Sequence, residues 1–294
     1  MNTIVKQKEF MKTTITFKVV QDSEKTIDIL NAMEEGFGEF DRIVKTYTRF
    51  EETSELSNLN RQPGTWINIS EEFCYLIGYM LNLAEKTNGA FDPTVIDFLE
   101  SYGYDKNYDF SKSEKPELDL MIQKLVKERP SFRDIELDKK NLKVKLAKNQ
   151  RLDLGGIGKG YAIDCAYNKL NVFGNFLIDA GGDIRVKGKN DKNQNWIVDL
   201  LGFRNDKKEI VGQVQLNNES IAGSGSWARK FKQFHHLINP ATGKPQNTYS
   251  TVFVQAPTAI ESDSWATALF VGGEQIAKLM PENFKYFLIA NTPS

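Results

Sequence analysis

The chain has 294 residues, 40% of them apolar and 11% aromatic, enough for one large core or two smaller ones. Its 38 Lys and Arg almost cancel 39 Asp and Glu, and a net charge of −1 argues against nucleic acid or an anionic membrane as the main partner. No stretch has the apolar core of a secretory signal or the length of a membrane span, so the chain as it stands reads as soluble and cytoplasmic, an export signal removed beforehand being left open.

Thr14 to Val20 alternates and is rich in β-branched residues, which predicts a first strand. Asp22 to Val44 follows as a helix, with Ile27, Leu30, Met33, Phe37 and Phe40 near helical spacing. In the polar stretch from Thr48 to Gly64, Ser54-Glu-Leu-Ser57 opens a short helical turn. Ser70 is placed to cap a helix running to Lys86, with Glu71 and Glu72 in its first turn and Thr87-Asn-Gly89 ending it. Asp105 to Lys115 is charged, has no apolar period and reads as a surface loop before a short helix from Pro116 to Lys127. Ile135 to Leu154 reads as a hairpin turning at Asp138-Lys-Lys-Asn141, and Gly160 to Leu170 as a helix. Phe176 to Asp179, Ile184 to Lys187, Trp196 to Leu200 and Ile210 to Leu216 read as successive strands. Helices from Glu261 to Val271 and Glu274 to Leu279, then a strand from Tyr286 to Ala290, complete the chain. The strand–helix alternation of a doubly wound sheet is missing. The pattern predicts an α+β fold, one compact domain with a largely antiparallel sheet flanked by helices. Cys74 and Cys165 have no metal-ligand spacing and no disulfide framework, and both read as reduced, buried thiols.

The most telling segment is Arg151-Leu-Asp-Leu-Gly-Gly-Ile-Gly-Lys-Gly-Tyr-Ala-Ile-Asp164. Its glycines let backbone approach a ligand closely, and the helix after it offers free N–H groups to an anion. Lys159 is followed by Gly160 rather than Ser or Thr, which excludes a Walker A loop, and the spacing is not the dinucleotide fingerprint. The segment fits a phosphate or nucleotide contact, or a tight turn with no ligand. Asp263 and Thr267 are four apart on a predicted helix, which puts a carboxylate and a hydroxyl on one face. They suit Mg²⁺ as hard oxygen ligands; equally, the Asp suits the helix dipole and the Thr its own backbone. Ala180-Gly-Gly-Asp183 fits close approach to a ligand or a plain bulge. Ser224-Gly225, with Arg229 nearby, fits a diphosphate holder or a serine–glycine turn. Phe91 and Asp92 follow a helix end, where they belong to a C-cap with a proline exit or to a site for a purine-like ring. The only two histidines, His235 and His236, are adjacent, so in extended chain at most one faces a pocket. Such a histidine can take a proton from an attacking hydroxyl, or it is structural. No zinc-type cluster and no aromatic–basic stripe for single-stranded nucleic acid is present in the sequence.

Taken in order, eight segments resemble the FAD:protein FMN transferase, or ApbE, family. They are Phe10-Met-Lys-Thr13, Ser54-Glu-Leu-Ser-Asn-Leu-Asn60, Gly89-Ala-Phe-Asp92, Leu152 to Asp164, Ile178-Asp-Ala-Gly-Gly-Asp183, Ser224-Gly225, His235 to Gly243, and Ser262-Asp-Ser-Trp-Ala-Thr267. The likeness leaves residues 1–9 as an extension and 10–294 as one domain. The resemblance implies a Mg²⁺-dependent enzyme that binds FAD, transfers its FMN half to a threonine or serine hydroxyl of a target flavoprotein, and releases AMP. It implies Asp263, Thr267 and a backbone carbonyl near Gly156 as metal ligands. It implies Thr13, Ala90, Phe91, Asp92, Asp153, Lys159, Gly181, Gly182 and backbone near Leu237 as FAD contacts, and His236 as the base. Gly158 stands where the family often has Ala, and Ser226-Trp227 where an acidic–aromatic pair is common. The rival readings are an FAD pyrophosphatase with water as acceptor, and a flavin-binding carrier without catalysis.

Overall fold

Two paired strands open the chain, β1 (Asn2–Phe10) and β2 (Thr13–Gln21), and the first long helix is α1 (Thr26–Tyr47). This computed structural model describes residues 2–11, 13–21, 26–204 and 207–291; Lys12 of the first motif and the expected helix start at Asp22 lie outside them. There follow α2 (Glu55–Asn60), β3 (Ile67–Asn68), α3 (Glu71–Lys86), α4 (Ile96–Ser101), α5 (Leu118–Glu128), β4 (Glu136–Asp138) and β5 (Lys143–Lys145). Then come α6 (Gly158–Leu170), β6 (Phe176–Ala180), β7 (Asp183–Lys187), β8 (Trp196–Arg204), β9 (Lys207–Leu216) and β10 (Ser220–Gly225). The last elements are β11 (Ile238–Asn239), β12 (Lys244–Pro245), β13 (Tyr249–Ala256), α7 (Ala259–Gly272), α8 (Glu274–Ala277) and β14 (Lys285–Ala290).

Seven strands form one sheet in the order β1-β2-β6-β7-β10-β13-β14, every neighbouring pair antiparallel. The expected α+β class and antiparallel sheet are borne out. Side-chain alternation decides what each face meets. Ile15, Phe17 and Val19 of β2, Phe176 and Ile178 of β6, and Val252 and Val254 of β13 enter the larger core, with α1, α3, α6 and α7. Val20, Leu177, Ile184, Val186, Ile221 and Phe253 join the other core, closed by Trp196, Val198, Leu200, Val214 and Leu216 of the β8–β9 hairpin. A third cluster joins Phe98, Leu99, Tyr102, Tyr104 and Ile122 to Ile238. Among the described residues no helix is long and apolar enough to cross a membrane.

The structure differs from the sequence reading at several places. β10 and β13 were not expected as strands, because both their faces are buried and no alternation remains to be read. Ser224-Gly225 is therefore the end of a strand, not a turn. The hairpin expected to reach Leu154 stops at Lys145; Leu146, Leu152 and Leu154 are core residues that imitate its alternation. The segment expected as a loop from Asp105 holds a 3₁₀ turn, Phe110–Glu114, whose Phe110 stacks on Phe231 at 4.2 Å. Residues 2–9, expected as an extension, belong to the edge strand β1, where Lys6 and Lys8 pair with Glu34 of α1. Cys74 is buried as expected, whereas Cys165 is only half-buried.

Candidate active site

The glycine loop between β5 and α6 is fastened at several points. Asn60 of α2 grips Leu152 like a strand partner: its Nδ2 donates to the Leu152 carbonyl (2.8 Å) and its Oδ1 accepts the Leu152 N–H (2.7 Å). Asp153 accepts the Gly155 N–H (2.9 Å) and pairs with Arg49 (3.1 Å). Arg49 is nearly buried and also bridges to Glu100 (3.2 Å). Arg151 pairs with Asp97 and, at 2.8 Å, with Glu100.

Beyond the loop, α6 and α7 clamp each other through two carboxylates. The Gly160 N–H of α6 donates to Asp263 Oδ2 of α7 (2.9 Å). In return Asp164 of α6 accepts the first N–H groups of α7, from Ala259 (2.8 Å) and Ile260 (2.9 Å), while Arg185 neutralises it (2.6 Å). The two helices touch so closely that a Cβ on Gly160 would lie 2.3 Å from the Ala259 carbonyl oxygen. This contact sets α7 against the loop. A Cβ on Gly156 would meet Phe91 at 2.9 Å and the Thr267 hydroxyl at 3.6 Å.

The helix α7 is buried on nearly every side, so its carboxylate Asp263 is desolvated. Burial, reinforced by the charge of Asp183, pushes the Asp263 carboxyl up to about 7, against the pull of Lys159 and the Gly160 N–H. Lys159 pairs with the buried Asp183, whose other oxygen accepts the Gly223 N–H (3.2 Å). Burial alone lowers the Lys159 pKa, but Asp183 and Asp263 outweigh it and the net direction is up. Thr267 makes no hydrogen bond through its hydroxyl among the described residues.

The two histidines face opposite ways. His235 is 1% exposed, donates through Nε2 to Asn247 (3.1 Å), accepts the Leu237 N–H at Nδ1 (3.2 Å) and packs edge-on against Phe270. His236 lines the cleft, and its buried Nδ1 has no partner. Burial first, then Arg229, His235 and Lys159, push its pKa down to about 3.

All the sequence-derived positions meet in one cleft of about 1000 Å³: Thr13, Ala90, Phe91, Asp92, Asp153, Gly156, Lys159, Gly181, Gly182, His236, Leu237, Asp263 and Thr267 all line it. Their surroundings refine what each can do. Asp92 is occupied with Arg129 (2.9 Å) and the Thr94 hydroxyl (2.6 Å), so it braces the cleft wall. Phe91 is 3% exposed and shows the cleft little more than an edge. Gly181 and Gly182 have φ of +68° and +100°, and a Cβ on Gly181 would lie 2.3 Å from the Thr13 hydroxyl, so this turn requires glycine. Sequence reasoning gave no role to Arg49, Tyr104 or Asp183, which also line the cleft. Asp183 stood inside a recognised motif; Arg49 and Tyr104 lie in segments with no periodic signal.

The sequence profile of the ApbE family matches residues 11–287. A Haemophilus influenzae protein named FAD:protein FMN transferase is 31% identical over 304 aligned residues, covering 96% of this chain and 85% of the relative. An Escherichia coli K12 protein of the same name is 25% identical over 274 residues, covering 87% and 74%. The crystal structure of the ApbE protein from Thermotoga maritima has a TM-score of 0.88 and 26% identity, covering 98% of this chain and 94% of that one. With the motifs gathered in one cleft and both sequence and fold matched along nearly their whole length, this chain belongs to the ApbE family.

Proposed function

We propose that the cleft binds FAD and, with Mg²⁺, transfers its FMN half to a threonine or serine hydroxyl of an acceptor flavoprotein, releasing AMP. The observation that carries this reading is the meeting of Lys159, Asp263, Thr267 and a single inward-facing histidine, His236, beside one glycine loop. Relatives named FAD:protein FMN transferase support it.

The donor set fits Mg²⁺. Asp263 and Thr267 are hard oxygen donors, as is the backbone at Gly156, and a carboxyl held near 7 by burial gains from a cation. Magnesium bound there would supply charge neutralisation on the diphosphate. The remaining steps fall to the chain's own residues. Arg229 and Lys159 attract the phosphates, Asp183 holds Lys159 in place, and Phe91 and Leu237 keep water from the reacting bond. His236 accepts the proton of the incoming hydroxyl at a ring nitrogen. A pKa of about 3 belongs to the protein without substrate, where Arg229 and Lys159 face the ring. A bound diphosphate offsets those cations and moves His236 toward the range where a base is effective.

The test is incubation with FAD, Mg²⁺ and a candidate acceptor. AMP together with flavinylated protein supports the proposal. AMP with free FMN, the acceptor unmodified, makes the protein an FAD pyrophosphatase. Absence of AMP makes it a flavin-binding carrier.

A further inference from the structure

His236 lies at the end of a strap, residues 226–236, that joins β10 to β11 and lends Trp227, Ala228, Arg229 and His236 to the cleft wall. Its ends are tied to the sheet side. Ser226 N–H donates to the Ser250 carbonyl (3.0 Å), Trp227 Nε1 to Thr251 (3.1 Å), and His235 to Asn247. The middle closes on itself through the Phe231–Phe234 pair (2.9 Å each way), and its Lys232 pairs with Glu114. Two of its residues, Arg229 and Lys232, hold left-handed φ of 60° and 51° without being glycine. Such a conformation persists only where the surroundings impose it.

Those surroundings are the segment after α4. The Tyr104 hydroxyl donates to the Arg229 carbonyl at 2.7 Å and lies 3.3 Å from the Phe234 carbonyl, so one side chain spans the strap. Its ring lies 6.3 Å from that of His236. Phe110 stacks on Phe231 at 4.2 Å and 10°, and Tyr102 packs on Phe234 at 5.0 Å. Of these aromatic residues only Tyr104 and His236 reach the cleft; Phe110 grips the strap outside it, through Phe231.

We propose that Tyr104 is a positioning residue for His236: its hydroxyl holds the strap at two carbonyls and, with Phe110 stacked on Phe231, fixes His236 against the cleft. Its effect on turnover rests on the flavin-transfer reading above; the anchoring itself does not.

The experiment compares wild-type protein with Tyr104→Phe, which removes one hydroxyl, and with Phe231→Ala, which removes the outer stack. The His236 ring is titrated by NMR in substrate-free protein, where the chain's two histidines make assignment simple. The groups whose charge acts on His236 are Arg229, His235 and Lys159, which neither variant alters. The Tyr104 phenol, whose ring lies 6.3 Å away, has its pKa pushed up to about 12 by burial, is uncharged throughout the titration, and is removed only in Tyr104→Phe. A loosened strap admits water, so the His236 midpoint should climb from about 3 toward the ordinary 6.5 in both variants. Flavin transfer at saturating FAD should slow by about tenfold, a loss separate from any weakening of FAD binding that the freed Arg229 causes, because saturation removes the binding contribution. An unmoved His236 midpoint overturns the proposal, even if the rate falls along with melting temperature. A raised midpoint with an unchanged transfer rate overturns the positioning role. If wild-type protein transfers no flavin, the transfer reading fails, and the midpoint alone decides whether Tyr104 anchors the strap.

Discussion

Gly160→Ala sets two physical expectations against each other. By helix propensity alone, alanine in α6 should stabilise by about 1 kcal/mol. Packing predicts the opposite. A Cβ at this position would lie 2.3 Å from the Ala259 carbonyl oxygen, 2.7 Å from its carbon and 2.8 Å from Ile260 Cα. All three are backbone atoms in the first turn of α7, so no rotamer change relieves the clash. Comfortable contact begins at about 3.5 Å, and the helices must part by roughly 1 Å. Parting stretches the Gly160–Asp263 bond (2.9 Å) and the two bonds from Ala259 and Ile260 to Asp164 (2.8 and 2.9 Å). Overpacking costs about 1–3 kcal/mol, and weakening bonds to buried carboxylates adds about 1–3 kcal/mol. Set against the propensity gain, the net loss should be about 1–5 kcal/mol. Urea unfolding followed by circular dichroism measures it, as a lower midpoint at an unchanged slope. Gly158→Ala is the control: a Cβ there meets nothing within 4 Å, so stability should change by less than about 0.5 kcal/mol. Stabilisation by Gly160→Ala, or a loss no larger than in the control, would refute the helix clamp.

Three further outcomes are expected. His236→Ala should slow flavin transfer by about 10²–10⁴-fold with FAD affinity nearly kept, while His235→Ala, which loses its bonds to Asn247 and Leu237, should mainly lower the melting temperature; equal small rate losses in both would assign both rings to structure. Asp263→Ala should abolish Mg²⁺-dependent AMP release while FAD still binds weakly, as fluorescence titration would show, and near-normal turnover at limiting Mg²⁺ would exclude Asp263 as a ligand. Glu72 joins α1, α3 and α6 by accepting from Arg42 (2.6 Å), Tyr47 (2.7 Å) and Tyr161 (2.7 Å). Arg42 first, against burial and with the help of Tyr161 and Tyr47, lowers its pKa from 4.5 to about 2. A depressed carboxylate pKa means the unfolded chain binds the proton first, so this contribution is full above pH 4.5 and is lost as pH falls toward 2. Glu72→Gln should therefore be less stable than wild type at pH 7, and the gap should narrow on acidification; a constant gap in urea midpoints from pH 6 to pH 3 would contradict it.

The sequence was most legible where local chemistry alone decides structure. Ser70 caps α3 by accepting the Phe73 N–H (3.1 Å), and the helix ends at Lys86 before Asn88 and Gly89 with φ of 51° and 81°. Both boundaries follow from side chains within a few residues. β10 and β13 were illegible for the opposite reason. They are sandwiched between α7 and the β8–β9 hairpin, so what marks them as strands is supplied by distant chain. The same division runs through the site. Glycines and the Asp263–Thr267 spacing are visible one segment at a time. Arg49 and Tyr104 gain their roles only from partners far along the chain, Asp153 and the Arg229 carbonyl, and no local pattern announces such pairs.

The Asp263–Thr267 pair shows how far structure narrows an ambiguity of spacing. The plain alternative made Asp263 a dipole-favouring residue and Thr267 a hydroxyl bonded to its own backbone. Yet the N-terminus of α7 is already served: Thr258 and Glu261 form a capping box, and Asp164 takes the Ala259 and Ile260 N–H groups. Asp263 lies beyond that first turn, where the dipole effect has largely faded. The back-bonding role is taken too, by Ser262 to the Ala259 carbonyl (3.1 Å) and Ser264 to the Glu261 carbonyl (3.3 Å), whereas Thr267 makes no such bond among the described residues. A buried helix thus carries a carboxylate whose one hydrogen bond is from the Gly160 N–H (2.9 Å) and a hydroxyl that makes none among the described residues, both turned to the cleft beside the glycine loop. The Gly160 N–H and the charge of Lys159 offset only part of the cost of desolvating this carboxylate, whose pKa burial still pushes up to about 7, and a cation bound with substrate would supply the remainder in the proposed ligand role.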